Sequence, residues 1–393
     1  MKWRFSAIAL LLLVSMTGCI YDYSPEEIST KVADNTVVVI DGDIAVGSIT
    51  TIRVNITEPL LEEEKNLPLG ATVWVEEEGG ALYHGQEKAD ETNAFEINTT
   101  SLSLQGRYRL GVSIPNRGEY LSEFKSVLIT PAIDSMTWVI LPDRLSAYVE
   151  LTTHRDNADP SDTSRLYCKW NYHENWESPS VFMPYLEWDV KMQRVKDLTD
   201  EERLERYYCF SERESSEVCI GGTEKLSENV IYKHIITKIA NNDSRAKALY
   251  SISVRQQALD KEAYEYWGIM KKNSDNIGGI FAAQPTEVKG NVTNTSNPAE
   301  QVVGYVNVAT VQTHRVFIDW KAEKFYKSGC VKTQIPETVS IDAYISAGYR
   351  LTHWSEVTER LWGSKKHCVD CRIYSNSTRP TWWPNDKYGQ WGM

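Results

Sequence analysis

The chain has 393 residues, 41% hydrophobic and 24% charged, with 54 acidic against 42 basic side chains and seven cysteines. These proportions exclude a disordered chain, a collagen-like fibre and a polytopic membrane protein, and the length suggests two or three domains, each with its own core. A net charge of −12, with no clustered stripe of Lys and Arg, argues against a nucleic-acid binder.

Lys2 and Arg4 precede the apolar run Ala7 to Met16, followed by Thr17-Gly18-Cys19. A basic start, a short apolar stretch and a small residue form a secretory signal over residues 1–18. About ten apolar residues are too few to span a hydrocarbon core about 30 Å thick. Gly18-Cys19 resembles the bacterial lipobox, which implies a cysteine acylated on sulfur that becomes the N-terminus after cleavage. Several acyl chains on Cys19 would anchor the protein stably in outer-membrane lipid. Residues 19–35 then read as a polar tether. Loss of Lys2 and Arg4 takes the net charge from −12 to −14.

Residues 36–131 read as a β-sandwich, immunoglobulin-like or transthyretin-like. Apolar side chains alternate at Ile52, Val54 and Ile56, at Ala71, Val73 and Val75, and at Tyr108, Leu110, Val112 and Ile114. Asp41-Gly42, Gly79-Gly80 and Asn116-Arg117-Gly118 supply turns between them. Glu76-Glu77-Glu78 reads as a solvated strand end, because three consecutive carboxylates on a pleated backbone cannot all face one ion. No cysteine falls in this segment.

Residues 132–393 read as a second β-rich domain with one or two short helices and a tail rich in cysteine and tryptophan. Strands are expected over Met136 to Ile140, Ala147 to Thr152, Leu166 to Tyr172, Val302 to Val308 and Val316 to Trp320. Thr199 and Glu202 have capping-box spacing for one helix. Asp260 caps another, which places Leu259, Ala263, Tyr266, Trp267 and Met270 on one core-facing stripe.

With Cys19 assigned to lipid, Cys168, Cys209, Cys219, Cys330, Cys368 and Cys371 remain as disulfide candidates in an oxidising compartment. A local Cys209–Cys219 bridge is expected, with Cys168 and Cys330 pairing with Cys368 and Cys371 in an unassigned order. Zinc held by Cys330, His367 and the C-terminal pair is the weaker alternative. Trp382 and Trp383, in a polar tail with Trp391, are candidates for ligand contact. No nucleophile elbow, zinc-protease motif or phosphate loop is present, and His173-Glu174 lacks the second histidine a zinc protease needs. The expectation is therefore a protein with no catalytic residues, no metal and no cofactor.

Gln256-Gln257-Ala258-Leu259-Asp260-Lys261-Glu262-Ala263-Tyr264-Glu265-Tyr266-Trp267 resembles the signature of a Bacteroidota lipoprotein family, domain of unknown function forty-two forty-nine. Gly290-Asn291-Val292-Thr293-Asn294 with Asn297-Pro298, Val303-Gly304-Tyr305 and Cys368-Val369-Asp370-Cys371-Arg372 follow in the order that family shows. Asn376-Ser377-Thr378 departs from the Gly-Gly-Thr often found there. The resemblance implies a surface-exposed outer-membrane lipoprotein assisting a TonB-dependent nutrient transporter. A stand-alone glycan- or peptide-binding lipoprotein is the alternative, and a hydrolase is a weaker one. The ligand is not implied.

Overall fold

The structure is a computed structural model that describes residues 36–57, 67–156, 164–275, 289–375 and 378–384. The signal, Cys19, the tether and Trp391 lie outside the described residues. The fold is mainly β, in three parts.

The first part is the expected sandwich. One sheet runs Val302–Val303, Val38–Asp41, Ile49–Ile56, Ala94–Asn98, Gln86–Glu87; the other runs Val292–Asn294, Gly118–Ser122, Arg107–Ile114, Thr72–Glu77, Leu82–His84. The alternating residues Ile52, Val54, Val73, Val75, Tyr108, Leu110 and Val112 all point into the space between them and are buried. Gly42 occupies φ +136°, and a Cβ there would lie 2.4 Å from the Thr51 carbonyl oxygen, so the turn demands glycine. The triple-glutamate end is solvated as expected, with Glu76 paired to Arg109 and Glu78 to Arg107.

Residues 36–131 alone do not close this sandwich. One edge strand of each sheet, Val302–Val303 and Val292–Asn294, returns from the far part of the chain, and Val292, Val302, Val306 and Val308 complete the core. In exchange, the backbone of Ile44–Val46 pairs in parallel with Val308, Ala309 and Thr310 of the neighbouring sheet, while Ile44 and Val46 stay in the sandwich core. The expected single strand over Val302 to Val308 is therefore two pieces. At Gly304 the backbone crosses so close to the first strand that a Cβ would meet the Ile40 carbonyl oxygen at 2.4 Å, and the chain then steps from one sheet to the next.

The second part packs two sheets face to face. Its central sheet runs Phe210–Glu214, Tyr167–Glu177, Leu249–Ala258, Val308–Asp319, Ile44–Val46, with Cys219–Gly222 beside the start of Tyr167–Glu177. The strand expected at Val316 to Trp320 is the end of the longer Val308–Asp319 strand. The facing sheet is Ile133–Ile140, Ser146–His154, Val230–Ala240. Between them lie Val149, Leu151, Trp170, Tyr250, Ile252, Val254 and Trp320. Against this part lies the helix Lys261–Asp275; Asp260 Oδ1 accepts from the Ala263 amide at 2.7 Å, and Leu259, Ala263 and Tyr266 pack on Tyr167 and Tyr305.

The third part is small: a hairpin (Leu186–Asp189, Arg194–Asp197), a sheet ordered Thr333–Gln334, Arg360–Lys365, Tyr349–Ser355, and the helices Asp200–Tyr207, Ile341–Ser346 and Lys366–Val369. Both sides of the predicted capping box at Thr199 are formed. The last two helices, of six and four residues, are too short for a periodic signal in the sequence.

Candidate binding cleft between sandwich and central sheet

The two faces of Tyr167–Glu177 differ in chemistry because successive side chains alternate. Cys168, Trp170, Tyr172 and Trp176 point into the two-sheet core. Lys169, Asn171 and His173 point the other way, and register places Gln257, Arg255 and Ser253 directly beside them on Leu249–Ala258. Thr313 extends the row beside Arg255. A sheet with one apolar and one polar face must set the polar one against solvent or polar partners, and here the sandwich supplies them. Its turn Asp41-Gly42-Asp43, with Thr51, Arg53 and Lys88, forms the opposite wall of a cleft of about 390 Å³.

At the base, Lys169 Nζ lies 2.5 Å from Asp43 Oδ2, with both side chains nearly excluded from solvent. The same ammonium sits 4.2 Å from the centroid of the Trp267 ring, and Asp43 Oδ1 accepts from the Asn307 amide at 3.0 Å. Burial with hydrogen bonds on both partners makes this pair a fixed strut between the two parts. At the rim, Arg53 donates to Glu91 at 2.6 Å; that bond, with Asp41 and Glu214 nearby, holds its pKa above the ordinary value. Arg255 differs from both. Burial lowers its pKa against the pull of Asp43, its Nε has no hydrogen-bond partner among the described residues, and no carboxylate there pairs with it. Beside it, Gln257 is 5% exposed and its Nε2 is likewise unpartnered.

Other candidates carry less chemistry. A wider depression of about 750 Å³ along the Gln86–Glu87 edge is lined by exposed side chains apart from Lys88. Cys219 Sγ lies 3.6 Å from His234 Nε2, but burial pushes the thiol up to about 11 and the imidazole down to about 4. A reactive pair needs thiolate beside imidazolium, and this one is a protonated thiol beside a neutral ring.

Cys330 pairs with one of the C-terminal cysteines as expected, and the disulfides correct the rest of the expected pairing. Cys209 bonds Cys371 and Cys330 bonds Cys368, while Cys168 and Cys219 are free and buried. Cys209 and Cys219 cannot meet because their strands lie end to end along the same partner. Phe210 sits opposite Glu177 and Cys219 opposite Trp170, seven residues or roughly 23 Å apart at the rise of a strand. Burial pushes the Cys168 thiol up to about 12. Cys330, His367 and Cys368 do bring their ligand atoms within 4.8 Å of one another, as the zinc alternative supposed. Both sulfurs are committed to the disulfide, and Cys371 is bonded elsewhere.

The tail also divides. Trp383 is 2% exposed, packs edge-on against Phe210 and donates from Nε1 to Glu177 at 2.9 Å, so it is core and is removed from ligand contact. Trp382 is 46% exposed, with the Arg315 guanidinium 4.0 Å over its ring. The groups that line the cleft were missed in the sequence. The signal available was Ser253-x-Arg255-x-Gln257 alternating with Ile252 and Val254, a polar stripe on a strand that proves central in its sheet.

The motif residues gather at this junction. Gln256 accepts from Trp170 Nε1 and donates to the Pro131 carbonyl and to Thr153; Asp260 and Tyr305 bind Lys125; Asn291 exchanges two hydrogen bonds of 2.8 Å with the Val306 backbone. They clasp the returning strands and the helix to the sandwich. The family model described as Domain of unknown function (DUF4249) matches residues 20–315, and the chain belongs to that family. No curated protein is significantly similar. Among solved structures, the crystal structure of trypsin activated alpha-2-macroglobulin from Escherichia coli matches 58% of this chain and 15% of its own, at 9% identity and a TM-score of 0.18. At that level the likeness carries no argument about fold or activity.

Proposed function

We propose that the protein is a lipid-anchored accessory of an outer-membrane TonB-dependent nutrient transporter, exposed at the cell surface, which binds substrate without transforming it. The observation that carries the binding role is the cleft at the junction, where a polar sheet face presents Arg255, which has no carboxylate partner among the described residues. A half-buried charge without a counter-ion is costly, and an anionic group bound in the cleft would offset that cost. Attachment through acylated Cys19 and work beside a transporter follow from the lipobox resemblance and from what the family resemblance implies. Among the described residues, no array of activated side chains favours a hydrolase reading.

The test is recovery of the native protein from detergent-solubilised outer membranes, followed by mass spectrometry. A TonB-dependent transporter should co-purify in near-stoichiometric amount, and recovery alone overturns the accessory role. Incorporation of labelled palmitate should vanish in Cys19→Ser.

A further inference from the structure

We infer that the cleft takes a zwitterionic solute, an amino acid or short peptide, with its carboxylate seated on Arg255 and its ammonium toward Asp41 and Glu214. The inference rests on reading the cleft as a binding site, but not on the transporter.

It follows from which charges in the cleft are already spent. Lys169 is neutralised by Asp43, while Arg53 and Lys88 share Glu91. Among the described residues, Arg255 alone of the four cations lacks a carboxylate partner, and it is only partly buried where it lines the cleft. The charged, planar guanidinium by itself offers a fork of N–H donors that matches the two oxygens of a carboxylate. Phosphate offers similar oxygens, but its second charge would face Asp41 and Glu214, which line the same space. Those acids favour a ligand that brings a cation of its own. Asp41 and Glu214 are exposed at the solvent side, whereas Arg255 is partly buried on the sheet face, so the two ends of the ligand are told apart by depth. The volume falls in the range of small-molecule sites, about 300–1,000 Å³. Thr51, Ser253 and Thr313 also line the cleft.

The experiment is isothermal titration calorimetry on the mature, detergent-held chain with tri-alanine, its C-terminal amide and its N-acetyl form. Tri-alanine should bind saturably, and both capped peptides should bind about tenfold more weakly or worse. In Arg255→Gln, tri-alanine should fall to the level of the amide, and Arg255→Lys should recover part of the difference. The comparison of free and amidated peptide on the unaltered protein does not depend on how any variant folds. No saturable heat up to about 10 mM tri-alanine, or equal binding of the amide, overturns the carboxylate seat. Equal binding of the N-acetyl form overturns the zwitterion assignment. Failure of co-purification with a transporter would leave these titrations unchanged, so the two readings fail separately.

Discussion

The sandwich and the small third part solve the same stability problem in opposite ways. The sandwich buries twenty-one apolar side chains in one core and contains no cysteine. Among the described residues, the third part's own cluster buries only Ile335, Tyr344 and Leu351, and both disulfides lie in it or tie it to the central sheet. A small body cannot remove enough apolar surface from water to offset the chain entropy lost on folding, and cross-links reduce that entropy in the unfolded chain instead. Cysteine placement in this protein thus tracks core size. It also explains why the two thiols inside the large central core, Cys168 and Cys219, stay unbonded.

The largest effect expected is from reduction. Opening the loops of 162 and 38 residues should cost about 5 and about 4 kcal/mol in the chain-entropy limit. Hydrogen exchange read by mass spectrometry should show lost protection over residues 186–210 and 330–373 with residues 38–122 unchanged; uniform loss would break the comparison. Conversely, Leu110→Ala, at a position 1% exposed in the sandwich, should lower stability by about 3 kcal/mol in urea melts and leave the reductant sensitivity of the third part untouched.

Acidification should single out the central part from both. His234, stacked on Trp170 at 4.4 Å, has its pKa lowered by burial, assisted by Lys271, from 6.5 to about 4. The unfolded chain takes up this proton first, so the contribution is complete above about 6.5 and is lost as pH falls toward 4. The loss is on the order of 3 kcal/mol. A pH titration of stability in which His234→Gln has the same slope as the parent between those values would remove the assignment. Smallest is Gly304→Ala, whose added Cβ would press on the Ile40 carbonyl oxygen. About 2 kcal/mol of overpacking is expected, seen as faster exchange in Val38–Asp41 and Val302–Val303.

Much of the framework was legible locally. Period-two alternation marked Ile49–Ile56, Thr72–Glu77 and Arg107–Ile114 because each has one face in a core and one in water. Thr199 and Asp260 announced their helices through short-range hydrogen bonds that sequence spacing alone can satisfy. The cleft was not legible, since Lys169, Arg255 and Asp43 lie far apart along the chain and only strand register and the exchanged strands bring them together.

The amino-acid sequence by itself determined the β class, the turn positions and the absence of cysteine from residues 36–131. These depend on side-chain periodicity, backbone preference or composition, which act over a few residues, while the family was legible through the resemblance of its motifs. Tertiary structure decided which cysteines bond, that Trp383 is core while Trp382 meets solvent, and that the sandwich is closed by strands from residues 292–303. It also decided which cation at the junction has no carboxylate partner among the described residues, because the register that sets Arg255 beside Asn171, 84 residues earlier, is fixed by how whole strands pair and not by any local pattern.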